Sequence, residues 1–164
     1  CSELVKMAFG TSAEAVQTQS DTIYAGRVIC NETIVEGSNE DVQPKEIDYT
    51  GIHIDKFTGG VMMGALRSER TIHGQVTIRV TYDSGKKDHD REQAIVGMLA
   101  LALRDLAVGS VTIGSGQNSG RGRISGKLLT ITNANASVRI YFGDRSIDGE
   151  QMLQSWIDAL HGRV

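Results

Sequence analysis

The sequence predicts an α+β fold, and three stretches carry that prediction. Gln75–Tyr82 alternates, with Val76, Ile78, Val80 and Tyr82 on one side and Thr77, Arg79 and Thr81 on the other. That is the period of a strand with one buried face. Arg91–Val108 sets Ile95, Met98, Leu99, Ala102, Leu103 and Leu106 on a single helical stripe. Near the end, Leu153, Trp156, Ile157 and Leu160 form another. Strands interrupted by helices that each need one covered face read as α+β.

Taken in order, Ser2–Phe9 has Leu4, Val5, Ala8 and Phe9 at helical spacing, and Gly10 ends it. This opening reads as the end of a helix, so the chain is expected to be a piece of something longer. Thr11–Thr22 is polar and reads as a loop. Tyr24–Val35 reads as a strand with Val28, Cys30 and Ile34 on one face. Glu36–Glu46 holds the single proline, Pro44, and is expected to be a solvated connection. Ile47–His73 lacks sustained periodicity. Within it Ile52–Phe57 alternates briefly, Thr58-Gly59-Gly60 interrupts, and Val61–Leu66 turns apolar again. Such an insertion is expected to be a functional loop or hairpin.

After the strand at Gln75–Tyr82, Asp83–Asp90 is a charged turn. A solvated turn is the preferred reading over a metal site of Asp83, Asp88, Asp90 and Glu92. Gly109 caps the main helix at its C-terminus. Lys127–Thr132 and Val138–Phe142 read as strands, and Asp148 as the cap of the last helix. The central order strand, strand, helix, strand matches the last four elements of a ferredoxin-like β-α-β-β-α-β unit. The first strand and most of the first helix of that unit are missing. Residues 1–132 are therefore expected to form a partial ferredoxin-like domain with a long inserted hairpin. Residues 133–164 would be a strand–helix extension packed on the same domain.

The 164 residues suffice for one domain with a core, and 40% hydrophobic against 23% charged residues places the chain among globular proteins rather than disordered ones. A net charge of -3 argues against indiscriminate coating by nucleic acid. It leaves room for a local basic groove: Arg121, Arg123 and Lys127 lie close together with no acid among them, and Arg67 and Arg70 flank only Glu69. Cys1 and Cys30 are too few for a disulfide framework and form no Cys-x-x-Cys, so a reduced, cytoplasmic protein is expected. No secretory leader is read at the start. The longest apolar run, Ala94–Val108, contains Arg104 and Asp105 and does not suit a bilayer.

The glycine-rich run Gly114–Ile124 invites comparison with nucleotide-binding loops, but the spacing fails. A G-x-G-x-x-G pattern from Gly114 needs glycine at Ser119, and Gly126-Lys127 is followed by Leu128 rather than Ser or Thr. Those loops also run from strand into helix, whereas this one runs from helix into strand. A plain flexible connection would explain the glycines alone. Binding to a polyanion backbone explains the glycines together with Arg121, Arg123, Asn118 and Ser119. Glycine lets the backbone approach closely, and arginine grips phosphate bidentately.

Val111–Ile124 resembles the C-terminal glycine-rich signature of the RAMP superfamily, the RNA-binding proteins of CRISPR effector complexes. A second passage, Ile52-His-Ile-Asp-Lys-Phe-Thr-Gly-Gly-Val-Met-Met-Gly-Ala-Leu, is similar to the family's His-x-x-Ile/Asp-Arg-x-Thr-Gly-Gly…Gly-Ala-Leu segment in backbone subunits of type III effectors. A third, Ala8-Phe-Gly followed by Ala25-Gly-Arg-Val-Ile, resembles the passage after the family's first helix. All three occur in the family's order, over roughly Phe9 to Ile131.

The resemblance implies an RRM-like fold that grips guide RNA as a backbone subunit of a multi-subunit antiviral complex. The implied partners are single-stranded guide RNA, target RNA and other effector subunits, in a homo- or hetero-oligomer away from membranes, with no cofactor or metal. His53, Lys56, Phe57, Thr58, Gly59 and Gly60 would belong to a thumb over the RNA, with Phe57, Val61, Met62 and Met63 wedging beside bases. Arg67 and Arg70 would add charge. Asn118, Ser119, Gly120, Arg121, Gly122, Arg123 and Lys127 would hold phosphates. No residue here matches the aspartate with which the family's cleaving subunits cut target RNA, since that loop would precede Cys1, and no catalytic residue is assigned. Lys56 stands where the family often has arginine, and Arg67-Ser-Glu where it often has an aromatic residue. Two alternatives remain at this point: a guide-RNA-processing ribonuclease using His53 as general acid or base, and an assembly module that binds no RNA. His73, His89 and His161 carry less weight. Asp55 is read either as an ion-pair partner of Lys56 or as a residue that positions its loop.

Overall fold

The computed structural model describes residues 2–11, 23–36, 44–84, 88–133 and 136–162, without the side chains of Ser2 and Ser119. Within them the chain is a mixed α+β protein. In order it forms α1 (Ser2–Phe9), β1 (Val28–Cys30), β2 (Val35–Glu36), β3 (Lys45–Gly51), β4 (Arg67–His73), β5 (Gln75–Val76) and β6 (Val80–Tyr82). Then come α2 (His89–Ala107), β7 (Leu128–Thr132), β8 (Ser137–Tyr141), β9 (Ser146–Asp148) and α3 (Glu150–His161). Four expectations lie wholly or partly outside the described residues: the loop beyond Thr11, 37–43 of the connection, 85–87 of the charged turn, and Cys1.

The chain divides into two units, Cys1–Val28 with Tyr82–Val164, and Ile29–Thr81. The first is built on α2. Asp88 caps it by accepting from the Arg91 amide at 3.1 Å, and Asp90 and Glu92 stand in the first turn, where the helix dipole favours acids. At the other end Gly109 turns the chain with φ +74°. This Asp-to-Gly bracketing is why the helix starts two residues before the expected Arg91.

The face that α2 buries differs from the expected stripe. Ala94, Ile95, Gly97 and Ala100 are buried; Met98, Leu99, Leu103 and Leu106 are half-buried and Ala102 is exposed. The reason is α3, which packs closely along the small residues. A Cβ on Gly97 would lie 2.4 Å from the Trp156 carbonyl oxygen. On α3 the stripe is as expected, with Leu153, Trp156 and Leu160 buried and Ile157 half-buried. Two clusters result. Leu4 and Ala8 of α1 join Ala94, Ile95 and Leu160, while Ala100 joins Val138, Leu153 and Trp156.

Strands β7, β8 and β9 form an antiparallel sheet in that order. Its alternation puts Val138, fully buried, in the core beside half-buried Ile131 and Ile140. The short β9 was not expected from sequence, and it occupies Asp148. That residue therefore ends a strand instead of capping α3. The cap position falls to Gly149, at φ +79°, with no side-chain hydrogen bond.

Arg27 ties the segment after α1 to α2. It donates to the Met7 carbonyl at 3.3 Å and meets the Glu92 carboxylate at 2.9 Å. The Tyr82 hydroxyl also donates to Glu92, and burial followed by that bond holds the phenol above its ordinary range.

The second unit consists of small antiparallel pairs, β2 with β5 and β3 with β4. Strands β1 and β6 also pair. Both strands expected from sequence here are split: Tyr24–Val35 into β1 and the start of β2, and Gln75–Tyr82 into β5 and β6. The buried face expected for Gln75–Tyr82 is not realised. Val76 and Ile78 are exposed, and only Val80 and Tyr82 are half-buried. No described residue of this unit is buried. Alternation states which face a strand would cover, but covering it requires a second layer.

Candidate nucleic-acid interface

The glycine run leaves the C-terminal end of α2 and enters β7, the helix-to-strand direction read from sequence. It is a built loop. The Ile113 amide donates to the Gly122 carbonyl at 3.0 Å, and the Arg121 amide to Gly116 at 3.2 Å. The Gln117 side-chain amide bridges inward to the carbonyls of Thr112 and Gly114 at 3.3 and 3.2 Å. A short 3-10 turn over Gln117–Ser119 forms the tip, and the Gly126 amide anchors the exit on the Ala107 carbonyl at 2.7 Å.

This geometry presents the expected residues unequally. Asn118 and Gly120 are exposed, as are Arg123 and Lys127; Arg121 and Gly122 are half-buried. Ser119 contributes backbone to the turn, and its side chain lies outside the described atoms. The Arg121 side chain runs across Gly116, where a Cβ would stand 2.8 Å from its Cδ. Arg123 runs across Gly109, with Nε 2.8 Å from where a Cβ there would be. That is the negative end of the α2 dipole, a resting place suited to a guanidinium. Neither Arg123 nor Lys127 forms an ion pair among the described residues.

The other group of expected residues belongs to the second unit. Ile47–His73 is a hairpin, β3 and β4 pairing from Lys45↔His73 to Gly51↔Arg67, with a bridge at Ile54↔Val61. At its tip the Asp55 carboxylate accepts from the amides of Phe57 and Thr58 at 2.8 and 2.9 Å. Of the two readings left open for Asp55, the structure has the one in which it positions the loop. Asp followed by a turn and Gly59-Gly60 is the sequence signal for it. His53, Lys56, Thr58, Gly59 and Gly60 are all exposed. Phe57 and Met63 are 99% and 102% exposed, and Ile52, Ile54, Val61, Met62 and Leu66 are exposed as well.

No family model matches this chain, and no curated protein matches it.

Two cations of the hairpin are held by acids. Arg70 meets Asp48 at 2.8 Å and Glu46 at 3.2 Å, and Arg67 pairs with Glu69. Both guanidinium groups are themselves exposed and screened by water, so a phosphate can compete with these acids for either. The described residues contain no group of three or more His, Cys, Asp or Glu able to hold a metal ion, and no described helix is long and apolar enough to cross a membrane.

The two backbone amides hold the Asp55 carboxyl below its ordinary value of 3.8, Thr58 contributing more than Phe57. A depressed folded pKa stabilises the turn above the unfolded value, and that contribution is lost as pH falls through the folded one. The amides of Phe57 and Thr58 should therefore shift together below about pH 4. Asp55→Asn keeps an acceptor without a titrating proton and should flatten that profile in two-dimensional NMR. Shifts that persist in the variant would show that another group controls the turn.

Proposed function

We propose that this chain is an RNA-binding subunit of a CRISPR effector complex, built on a partial ferredoxin-like core of the RAMP type. The observation that carries the reading is the hairpin tip. Asp55 fixes a turn whose outermost side chain, Phe57, is almost wholly in solvent, and Met63, past the Ile54↔Val61 bridge, is equally exposed. A surface facing water has little use for a fixed turn that projects a phenyl ring, with an exposed thioether close by in sequence. Unstacked bases of single-stranded RNA give both a partner, by stacking and wedging. The glycine loop adds the complementary chemistry: close backbone approach, with Arg121, Arg123 and Lys127 for phosphates.

In this reading the subunit lies along guide RNA in a multi-subunit assembly, working in the cytoplasm as a binder without catalysis of its own. Purified protein should shift single-stranded RNA, with affinity falling as salt rises. Replacing Arg121 and Arg123 together by alanine should weaken binding roughly tenfold or more, since hydrogen bonds to charged groups are worth about 1.5–3 kcal/mol each. The salt slope should fall by about 1.4, at about 0.7 per phosphate contact on a single strand. Melting is followed in parallel, because Arg123 also rests on the end of α2. A double variant that binds with wild-type affinity and slope removes the loop from the interface.

A further inference from the structure

We propose that Arg145, in the turn between β8 and β9, is a further phosphate contact continuous with the glycine-loop surface. The inference rests on the RNA-binding reading and extends it to a residue that the sequence did not single out. Three observations converge on it.

Topology comes first. The glycine loop ends by delivering Lys127 to the start of β7. There the Phe142 amide donates to the Lys127 carbonyl at 3.1 Å, directly after the register pair Leu128↔Tyr141. Phe142 opens the turn that returns at Ser146, opposite Tyr141. Arg145 and Lys127 therefore stand at one end of the same three-stranded sheet. Gly126 seats that end against the last turn of α2: a Cβ there would lie 2.5 Å from Ala107 and 3.2 Å from Phe142.

Backbone conformation is the second. Arg145 has φ +58°, the only non-glycine residue with positive φ among those described. Glycine adopts that region freely, asparagine and aspartate tolerate it, and arginine does so at a cost. Neighbouring positive-φ positions in this unit, Gly109, Gly114, Gly116, Gly120, Gly122 and Gly149, all use glycine. An arginine standing where the backbone favours glycine points to a use for its side chain.

Electrostatics is the third. Arg145 is exposed and forms no ion pair among the described residues. Its acidic neighbour, Asp144, is turned into the loop, accepting from the Ser146 amide at 3.2 Å and its hydroxyl at 2.9 Å. Those bonds, the hydroxyl first, hold its carboxyl below the ordinary range. Asp144 shapes the turn, and the Arg145 side chain stays exposed at the sheet end. With Lys127 at the same end, across β8, that end suits the phosphates of a strand leaving the glycine loop.

Arg145→Gly separates a binding role from a structural one, because the two predict opposite signs. The variant should melt at or above the wild-type temperature, since glycine relieves the left-handed strain. Its affinity for single-stranded oligouridylate should nonetheless fall several-fold, and its salt slope by about 0.7. Arg145→Lys should keep most of the slope. The inference is overturned if Arg145→Gly leaves affinity and slope unchanged while the Arg121→Ala, Arg123→Ala variant weakens both. If the wild-type chain binds no oligouridylate at low salt, the RNA-binding reading itself falls, and this one with it.

Discussion

Gly97→Val should destabilise the first unit by about 3 kcal/mol, the upper end of what overpacking a core costs. At about 2–4 °C per kcal/mol for a chain of this size, thermal denaturation followed by circular dichroism should show a clear fall. The obstacle is backbone: a Cβ at this position would stand 2.4 Å from the Trp156 carbonyl oxygen and 2.8 Å from its carbonyl carbon. Neither atom can rotate away, so the helices must part, and parting them uncovers Ala100, Leu153 and Trp156 at once. The alanine variant sharpens the test. In an exposed helix, Gly→Ala gains about 1 kcal/mol from propensity. Here the collision outweighs that gain, and Gly97→Ala should also melt lower than wild type. A rise in its melting temperature would mean that α2 and α3 do not approach closely at this point.

Gly122→Ala should open the glycine loop while leaving the two helices and the β7–β9 sheet intact. Its φ is +72°, which costs a side chain about 1–2 kcal/mol, and an added Cβ would stand 1.8 Å from the Ile113 carbonyl oxygen. The first casualty is the bond from the Ile113 amide to the Gly122 carbonyl, which closes the loop. No residue of the buried clusters lies between Ser110 and Lys127. Far-ultraviolet circular dichroism should therefore hardly change. Hydrogen exchange at the Ile113 amide should accelerate, a result independent of any RNA. On the proposed function, affinity for single-stranded RNA should fall roughly tenfold with every arginine still present, because ordered donors are lost to the entropy of a freed loop. Unchanged exchange at Ile113 would contradict the loop geometry, and unchanged affinity would detach the loop's shape from binding.

Much of the first unit was legible in sequence. The bounds of α1 and the stripe of α3 follow from spacing alone, because a helix repeats its faces every 3.6 residues whatever surrounds it. The hairpin over Ile47–His73 was legible as an interval, though not as seven paired positions, since its register belongs to neither strand alone. The candidate site was half legible. Glycines and arginines in one run named the loop; nothing local marked Arg145, whose interest lies in a backbone angle and in a neighbour from another strand.

Sequence by itself determined the α+β class, the existence of the main helices, and the helix-to-strand direction that removes a nucleotide-loop reading. Only the tertiary structure decided which face of α2 is buried. Large apolar residues signalled one stripe, yet Ala94, Gly97 and Ala100 won it, because α3 arrives from more than fifty residues away and packs closest where side chains are smallest. It likewise split Gln75–Tyr82 and left Val76 and Ile78 exposed. Periodicity is a property of neighbours along the chain. Burial is a property of neighbours in space, and those are chosen by the fold.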